Sequence, residues 1–156
     1  MVKMQKNDHF YAQGLRFSCK RCSTCCRFEA GFVFLSRKDT SLLAAALNMK
    51  YNEFLDAYCR WVPVGEGKKH LSLNEKPNYD CIFWGSGQSD GCLVYENRPL
   101  QCRLFPFWPS VLCSENSWQM TARDCPGMDQ GMIHSHTSIK KMLAMRKMEP
   151  IISRNI

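Results

Sequence analysis

A small, irregular α+β domain, stabilised by metal, with short strands, a few helices and a C-terminal helix, is the fold class this sequence predicts. Three observations lead there. Ten cysteines fall in only 156 residues, four of them in the eight-residue run from Cys19 to Cys26. Apolar runs of strand length alternate with glycine- and proline-rich breaks. Helical spacing is confined to two stretches before residue 62 and one near the C-terminus.

The elements follow in chain order. Residues 1–16 form a polar, basic extension in which Phe10, Tyr11 and Leu15 can pack on the cysteine-cluster domain, residues 17–130. After the first cysteines, Gly31-Phe32-Val33-Phe34-Leu35 reads as a strand. Ser36 and Asp39 make a capping box ahead of a helix carrying Leu42, Leu43, Ala46 and Leu47. Asn52 is expected to cap a second helix, with Phe54, Leu55, Tyr58 and Trp61 on one face and Cys59 inside it. Pro63 and residues 65–69 mark a turn before a strand at His70–Leu73. Cys81–Trp84 and Cys92–Tyr95 are apolar runs joined by the long turn of a hairpin, residues 85–91. The glycines of that turn lack the spacing and following helix of a phosphate loop. Arg98-Pro99 opens a helical turn bearing Gln101, Cys102 and Arg103. Pro106 and Pro109 keep Phe105, Phe107 and Trp108 in irregular structure. A basic, methionine-rich helix over Ser138–Met148 closes the chain within a tail of residues 131–156, and covering the domain is its expected role.

Composition narrows the function classes. The chain is long enough for one modest domain, and 45% apolar residues allow a core of limited size. No stretch reaches the roughly 18 to 20 apolar residues of a membrane helix, and the first residues lack the apolar region of a secretory signal. A cytoplasmic protein with reduced thiols is the expectation. Ten exposed thiols would oxidise, so metal coordination is the reason to gather them. The net charge of +7 would suggest nucleic acid, but two four-thiolate sites of about −2 each would lower it to about +3. No nucleic-acid or membrane partner is therefore expected, and no small-molecule substrate site is legible; the partner is an unidentified redox or other protein.

Cys19, Cys22, Cys25 and Cys26, spaced CxxCxxCC, carry the chemistry. Two residues between cysteines let both thiolates face one small site while backbone amides donate to the sulfurs. The bacterial ferredoxin run joins three cysteines at this spacing to a distant Cys-Pro, and Cys125-Pro126 supplies one here. Zinc sites more often come as two separated CxxC pairs. The balance favours an iron–sulfur cluster, with zinc the alternative.

Cys19-x2-Cys22-x2-Cys25-Cys26, then Cys81, then Cys92-Leu-Val-Tyr95-Glu-Asn-Arg98-Pro99-Leu-Gln-Cys102-Arg103-Leu-Phe105-Pro106-Phe107, and finally Cys125-Pro126-Gly127 resemble the YkgJ-type CxxCxxCC family. The resemblance implies a zinc- or iron-chelating protein, often an iron–sulfur protein; a 4Fe–4S cluster is the cofactor expected here. It implies the ligands Cys19, Cys22, Cys25, Cys26, Cys81, Cys92, Cys102 and Cys125. Arg98 and Arg103, flanking Cys102, would support the cofactor from behind the ligands. The motif also occurs in flagellin lysine-N-methylase, which leaves a methyltransferase open as an alternative. Catalytic residues are unassigned. Electron transfer, redox sensing or cluster handling is the leading function, and a structural zinc interaction module its alternative. Cys59 reads as a buried inert thiol, and Cys113 as core or substitute ligand. His134 and His136 read as surface residues rather than a metal pair. Tyr95, Phe105, Phe107 and Trp108 read as shielding and core.

Overall fold

The structure, a computed structural model, describes residues 9–85 and 91–156. Its elements are β1 (Leu15–Phe17), α1 (Arg37–Ala46), α2 (Tyr51–Tyr58), β2 (Cys59–Gly65), β3 (Lys68–Leu73), β4 (Trp84–Gly85) and β5 (Gly91–Cys92). Then follow α3 (Leu100–Leu104), α4 (Pro109–Leu112), α5 (Glu115–Ala122), β6 (Met128–His134), α6 (His136–Met148) and β7 (Ser153–Asn155). Short helices and short antiparallel strands make the expected small α+β fold with a helix near its C-terminus. The chain divides into two compact units, residues 9–20 with Pro106–Ala144, and Arg21–Phe105 with Met145–Ile156.

The larger unit is built on an antiparallel sheet of order β2-β3-β7. Pro63, which has no amide hydrogen to give, sits on the edge strand β2, where the ladder tolerates it. Gly65, Glu66 and Gly67 all take positive φ and close the β2–β3 turn. The segment expected as a strand at Gly31–Leu35 is extended but makes only isolated bridges, such as Phe34 to Ser72. Leu35 N–H donates to Leu71 and Ile152 N–H donates to Leu35, so this segment lies between two chains without forming a full ladder. Leu35, Leu43, Phe54, Leu71, Leu73, Phe83 and Val94 are buried together as the core.

The capping box at Ser36 and Asp39 forms as the sequence indicates. Asn52 does not cap α2. Lys50 takes that position, its N–H donating to the Glu53 carboxylate at 3.2 Å, and Asn52 lies within the helix. The apolar spacing that ran to Trp61 overshoots, because α2 ends at Tyr58 and Cys59 and Trp61 belong to β2. The hairpin expected from Cys81–Trp84 and Cys92–Tyr95 forms only at its inner end, with Trp84 opposite Cys92 and Gly85 opposite Gly91; Cys81 instead bridges Glu75, and Tyr95 opens a 3₁₀ turn over Tyr95–Asn97. Residues 86–90 of its turn lie outside the described residues.

In the smaller unit β1 pairs with β6, and Phe107 packs against Phe17 and Trp118. Trp118 is 1% exposed and its indole N–H donates to Asp129 at 2.9 Å. Gly127 approaches the Ser18 carbonyl so closely that a Cβ there would collide with it, while Ser18 N–H donates to Gly127 at 3.1 Å. Helix α6 begins two residues earlier than expected, capped by the Ser135 hydroxyl, and buries Ile139 while Lys140, Lys141 and Lys147 stay exposed. His134 and His136 are not surface residues: both are half-buried. His134 lies 3.0 Å from the Phe17 carbonyl and His136 packs against Tyr11, so each is absorbed by the packing of its own element. Among the described residues no helix is long and apolar enough to cross a membrane.

Candidate metal centre

Three segments of the larger unit bring thiols together. The first is the cysteine loop, where Cys25 and Cys26 close a single 3₁₀ turn over Thr24–Cys26. Arg21, Ser23 and Phe28 all adopt positive φ around it. For a residue with a Cβ that conformation costs on the order of 1–2 kcal/mol, so the loop is wound tightly against its intrinsic preference. The second segment is the β4–β5 hairpin with the residues before it. Cys81 N–H donates to the Cys26 carbonyl at 2.7 Å, and Cys92 stands opposite Trp84. The third is α3, which carries Cys102.

These thiols influence one another electrostatically. The Cys25 and Cys26 sulfurs are 3.8 Å apart. The hydrogen bond from Cys26 holds the Cys25 thiol down at about 7, against the opposing effect of burial and with help from Arg98. The same hydrogen bond pushes the Cys26 thiol up, and burial pushes it further. Burial also raises Cys102, reinforced by the charges of Cys81, Cys25 and Cys92. Cys81 and Cys92 are raised chiefly by burial, with the backbone at Phe83 and Val94 respectively working the other way. Cys25, Cys26, Cys81, Cys92 and Cys102 thus form a linked set in which the ionisation of every thiol but Cys25 is opposed by at least one other. Arg98 favours the thiolates of Cys25, Cys92 and Cys102, Arg21 that of Cys92, and Lys76 that of Cys81. Such a donor set suits a thiophilic cation, whose charge replaces the protons and relieves the repulsion. The buried indole N–H of Trp84 has no acceptor among the described residues, leaving a donor on the strand paired with Cys92.

The remaining cysteines are placed differently. Cys22 is exposed and its thiol donates to the Thr24 hydroxyl at 3.3 Å. Cys19 and Cys125 belong to the smaller unit, where the Ser18–Gly127 hydrogen bond sets their neighbours side by side. Cys113 lies in the same unit, exposed, 3.1 Å from the Ser117 hydroxyl and 3.2 Å from the Ser110 carbonyl. Cys59 packs against the core of the larger unit, and burial pushes its thiol up to about 12. Among the described residues, no three Cys, His, Asp or Glu side chains already stand in a geometry that could hold one ion.

The two arginines expected behind the ligands separate in role. Arg98 faces the thiols, its Nε donating to the Tyr95 carbonyl at 2.9 Å. Arg103 is exposed and its Nε donates to the Arg98 carbonyl at 3.1 Å. Sequence reasoning missed Arg21 and Lys76. Arg21 sits inside the CxxC spacing and could have been flagged; nothing local marks Lys76.

The lowered Cys25 thiol has a kinetic consequence. Only the thiolate attacks an alkylating agent, and lowering the pKa from 9.0 to about 7 raises the thiolate fraction near neutrality. In metal-free, reduced protein, iodoacetamide should modify Cys25 with a rate that rises with pH and reaches half its maximum near pH 7. Cys59, held at about 12, should remain unmodified there. Peptide mass mapping after timed quenching reads both, and a Cys25 midpoint at an ordinary thiol value would contradict the Cys25–Cys26 geometry.

Residues 18–126 match the CxxCxxCC family, described as a "Putative zinc- or iron-chelating domain". The chain belongs to this family. The matched span includes all eight cysteines of the family-like pattern, in both units. Two similar proteins come from Methanocaldococcus jannaschii. The uncharacterized protein MJ0661 is 30% identical over 111 residues, covering 67% of this chain and 54% of that protein. The uncharacterized protein MJ0939 is 25% identical over 126 residues, covering 78% of this chain and 40% of its own length. The chain thus spans about half or less of these CxxCxxCC relatives. No solved structure matches it.

Proposed function

We propose that this CxxCxxCC-family chain binds an iron–sulfur cluster of the 4Fe–4S type and works in the cytoplasm in electron transfer, redox sensing or cluster handling. The observation that carries the reading is the convergence of cysteine-bearing segments: the Cys25 and Cys26 sulfurs are 3.8 Å apart, Cys81 N–H donates to the Cys26 carbonyl at 2.7 Å, and Cys92 and Cys102 lie within electrostatic reach of Cys25. Four thiolates suffice for such a cluster, and Cys25, Cys81, Cys92 and Cys102 are the first choice, with Cys26 beside them. A bound cluster would supply one-electron chemistry. The chain itself supplies the thiolates, partial burial and the positive charge that offsets them, the features that set a cluster's potential. Anaerobic purification followed by visible absorption and by iron and sulfide analysis tests the reading. Iron and sulfide in stoichiometric amounts are expected; zinc alone, with no iron, overturns it.

One observation favours zinc as a second reading. Two thiolates on one tetrahedral zinc ion at about 2.3 Å are about 3.8 Å apart, which is the Cys25–Cys26 separation of 3.8 Å. A cluster places each thiolate on its own iron and therefore farther apart. Under the zinc reading, chelation unfolds the domain without any redox change.

A further inference from the structure

Both faces of the Tyr95 ring are occupied by cations. The Arg21 guanidinium carbon lies 3.7 Å from the ring centroid and that of Arg98 lies 3.8 Å from it. Two planar guanidinium groups at such heights cannot share one face without overlapping, so the ring is sandwiched between them. Stacking suits the weakly hydrated guanidinium and the negative face of the ring. The two like charges nevertheless repel across the ring, and the arrangement needs negative charge nearby. Metal-bound thiolates at Cys25, Cys92 and Cys102 would provide it, since all three lie within electrostatic reach of Arg98 and Cys92 also of Arg21. Chain geometry ties the sandwich to the ligands as well. Tyr95 is three residues beyond Cys92, Arg21 immediately precedes Cys22, and Arg98 is locked to the Tyr95 carbonyl at 2.9 Å.

We propose that Tyr95 is a positioning residue whose ring holds Arg21 and Arg98 as a paired counter-charge beside the thiols, so that metal affinity depends on the stack and not on either arginine alone. The inference rests on the metal-binding reading and adds to it a specific device. The phenol oxygen is not needed for this role; the aromatic face is.

Zinc ion is the probe, added to reduced protein in competition with a chromophoric chelator. Tyr95→Phe should keep the wild-type affinity within about twofold, because the π-face survives. Tyr95→Leu and Arg21→Gln should each weaken zinc by roughly 10- to 100-fold, the cost of losing an outer partner of a metal ligand. Because Arg21 acts through the ring, the double variant should lose no more than the worse single one. Raising ionic strength should narrow the gap between Arg21→Gln and the wild type, which a packing defect would not do. Arg21 is exposed, so its variant reports on charge even if Tyr95→Leu fails to fold by circular dichroism. In that case partial rescue by Arg21→Lys supports the proposal, and wild-type affinity in Arg21→Gln overturns it. Independent losses that multiply in the double variant overturn it too. If the wild-type chain binds neither zinc nor iron, the metal-binding reading fails first, a distinguishable result.

Discussion

Replacing Asp39 with alanine is expected to lower the unfolding free energy by about 2–5 kcal/mol. Asp39 is 2% exposed, and its two carboxylate oxygens serve different parts of the larger unit. One accepts the Ser36 N–H at 2.9 Å, completing the box that starts α1. The other accepts the Leu100 N–H at 2.9 Å, at the first residue of α3. Alanine orphans two buried amides, each costing roughly 1–3 kcal/mol. It also removes a carboxylate that favours the charged form of half-buried Arg146, whose pKa burial pushes down. Asparagine is a poor rescue. Both oxygens face N–H donors, so an amide must set its NH₂ against one of them, and about half the loss should remain. Urea unfolding of metal-free protein measures this, and a change below about 0.5 kcal/mol, the scale of an ordinary surface substitution, would show that the two amides have other means of satisfaction. The consequence reaches the thiols, because Cys102 lies two residues beyond Leu100. Gln101 reinforces the same helix, accepting from Phe34 N–H at 3.0 Å and donating to the Phe32 carbonyl at 2.7 Å.

Local chemistry made part of this legible in sequence. The Ser36–Asp39 box needs only a side chain and an amide three residues apart, and the strand at His70–Leu73 is marked by its flanking turn. The short hairpin that ends in Cys92 is readable from two apolar runs and the glycines between them, although its strands are shorter than those runs. Reading failed where pairing is long-range. Strand β6 exposes most of its residues and shows no alternation, and only its partner β1 makes it a strand. Helix α5 buries Trp118 alone, too little for a periodic stripe, although Ser114 caps it by accepting from Ser117 N–H. The helical spacing through Trp61 misled because Phe54 and Tyr58 meet the core from a helix and Trp61 packs against it from a strand. At the metal centre, thiol spacing announced the chemistry, but cations that reach the thiols from elsewhere in the fold leave no local trace. Lys76 lies five residues before Cys81. Arg21 acquires its meaning only when Tyr95 folds beneath it.

Cys102→Ser should remove the metal, while Cys59→Ala should retain it. Serine keeps the size and polarity of cysteine but offers a hydroxyl that does not ionise near neutrality, so a ligand thiolate disappears without much change in packing. Cys102 is the best choice in the set because it joins α3 to the rest: its thiol feels Cys81, Cys25 and Cys92 at once. Losing a ligand should exceed the roughly 10- to 100-fold cost of losing an outer partner. Since metal binding adds directly to folding free energy, the variant should also forfeit the stabilisation that metal gives the wild type, while its metal-free stability stays close to that of the metal-free parent. Cys59 supplies the contrast. It is a thiol of the same unit, packed against the same core, yet its shift comes from burial. Metal per chain after anaerobic isolation, measured with paired melting curves before and after chelation, separates the cases. Full metal content in Cys102→Ser, or equal loss in Cys59→Ala, would move the centre away from α3 and the hairpin.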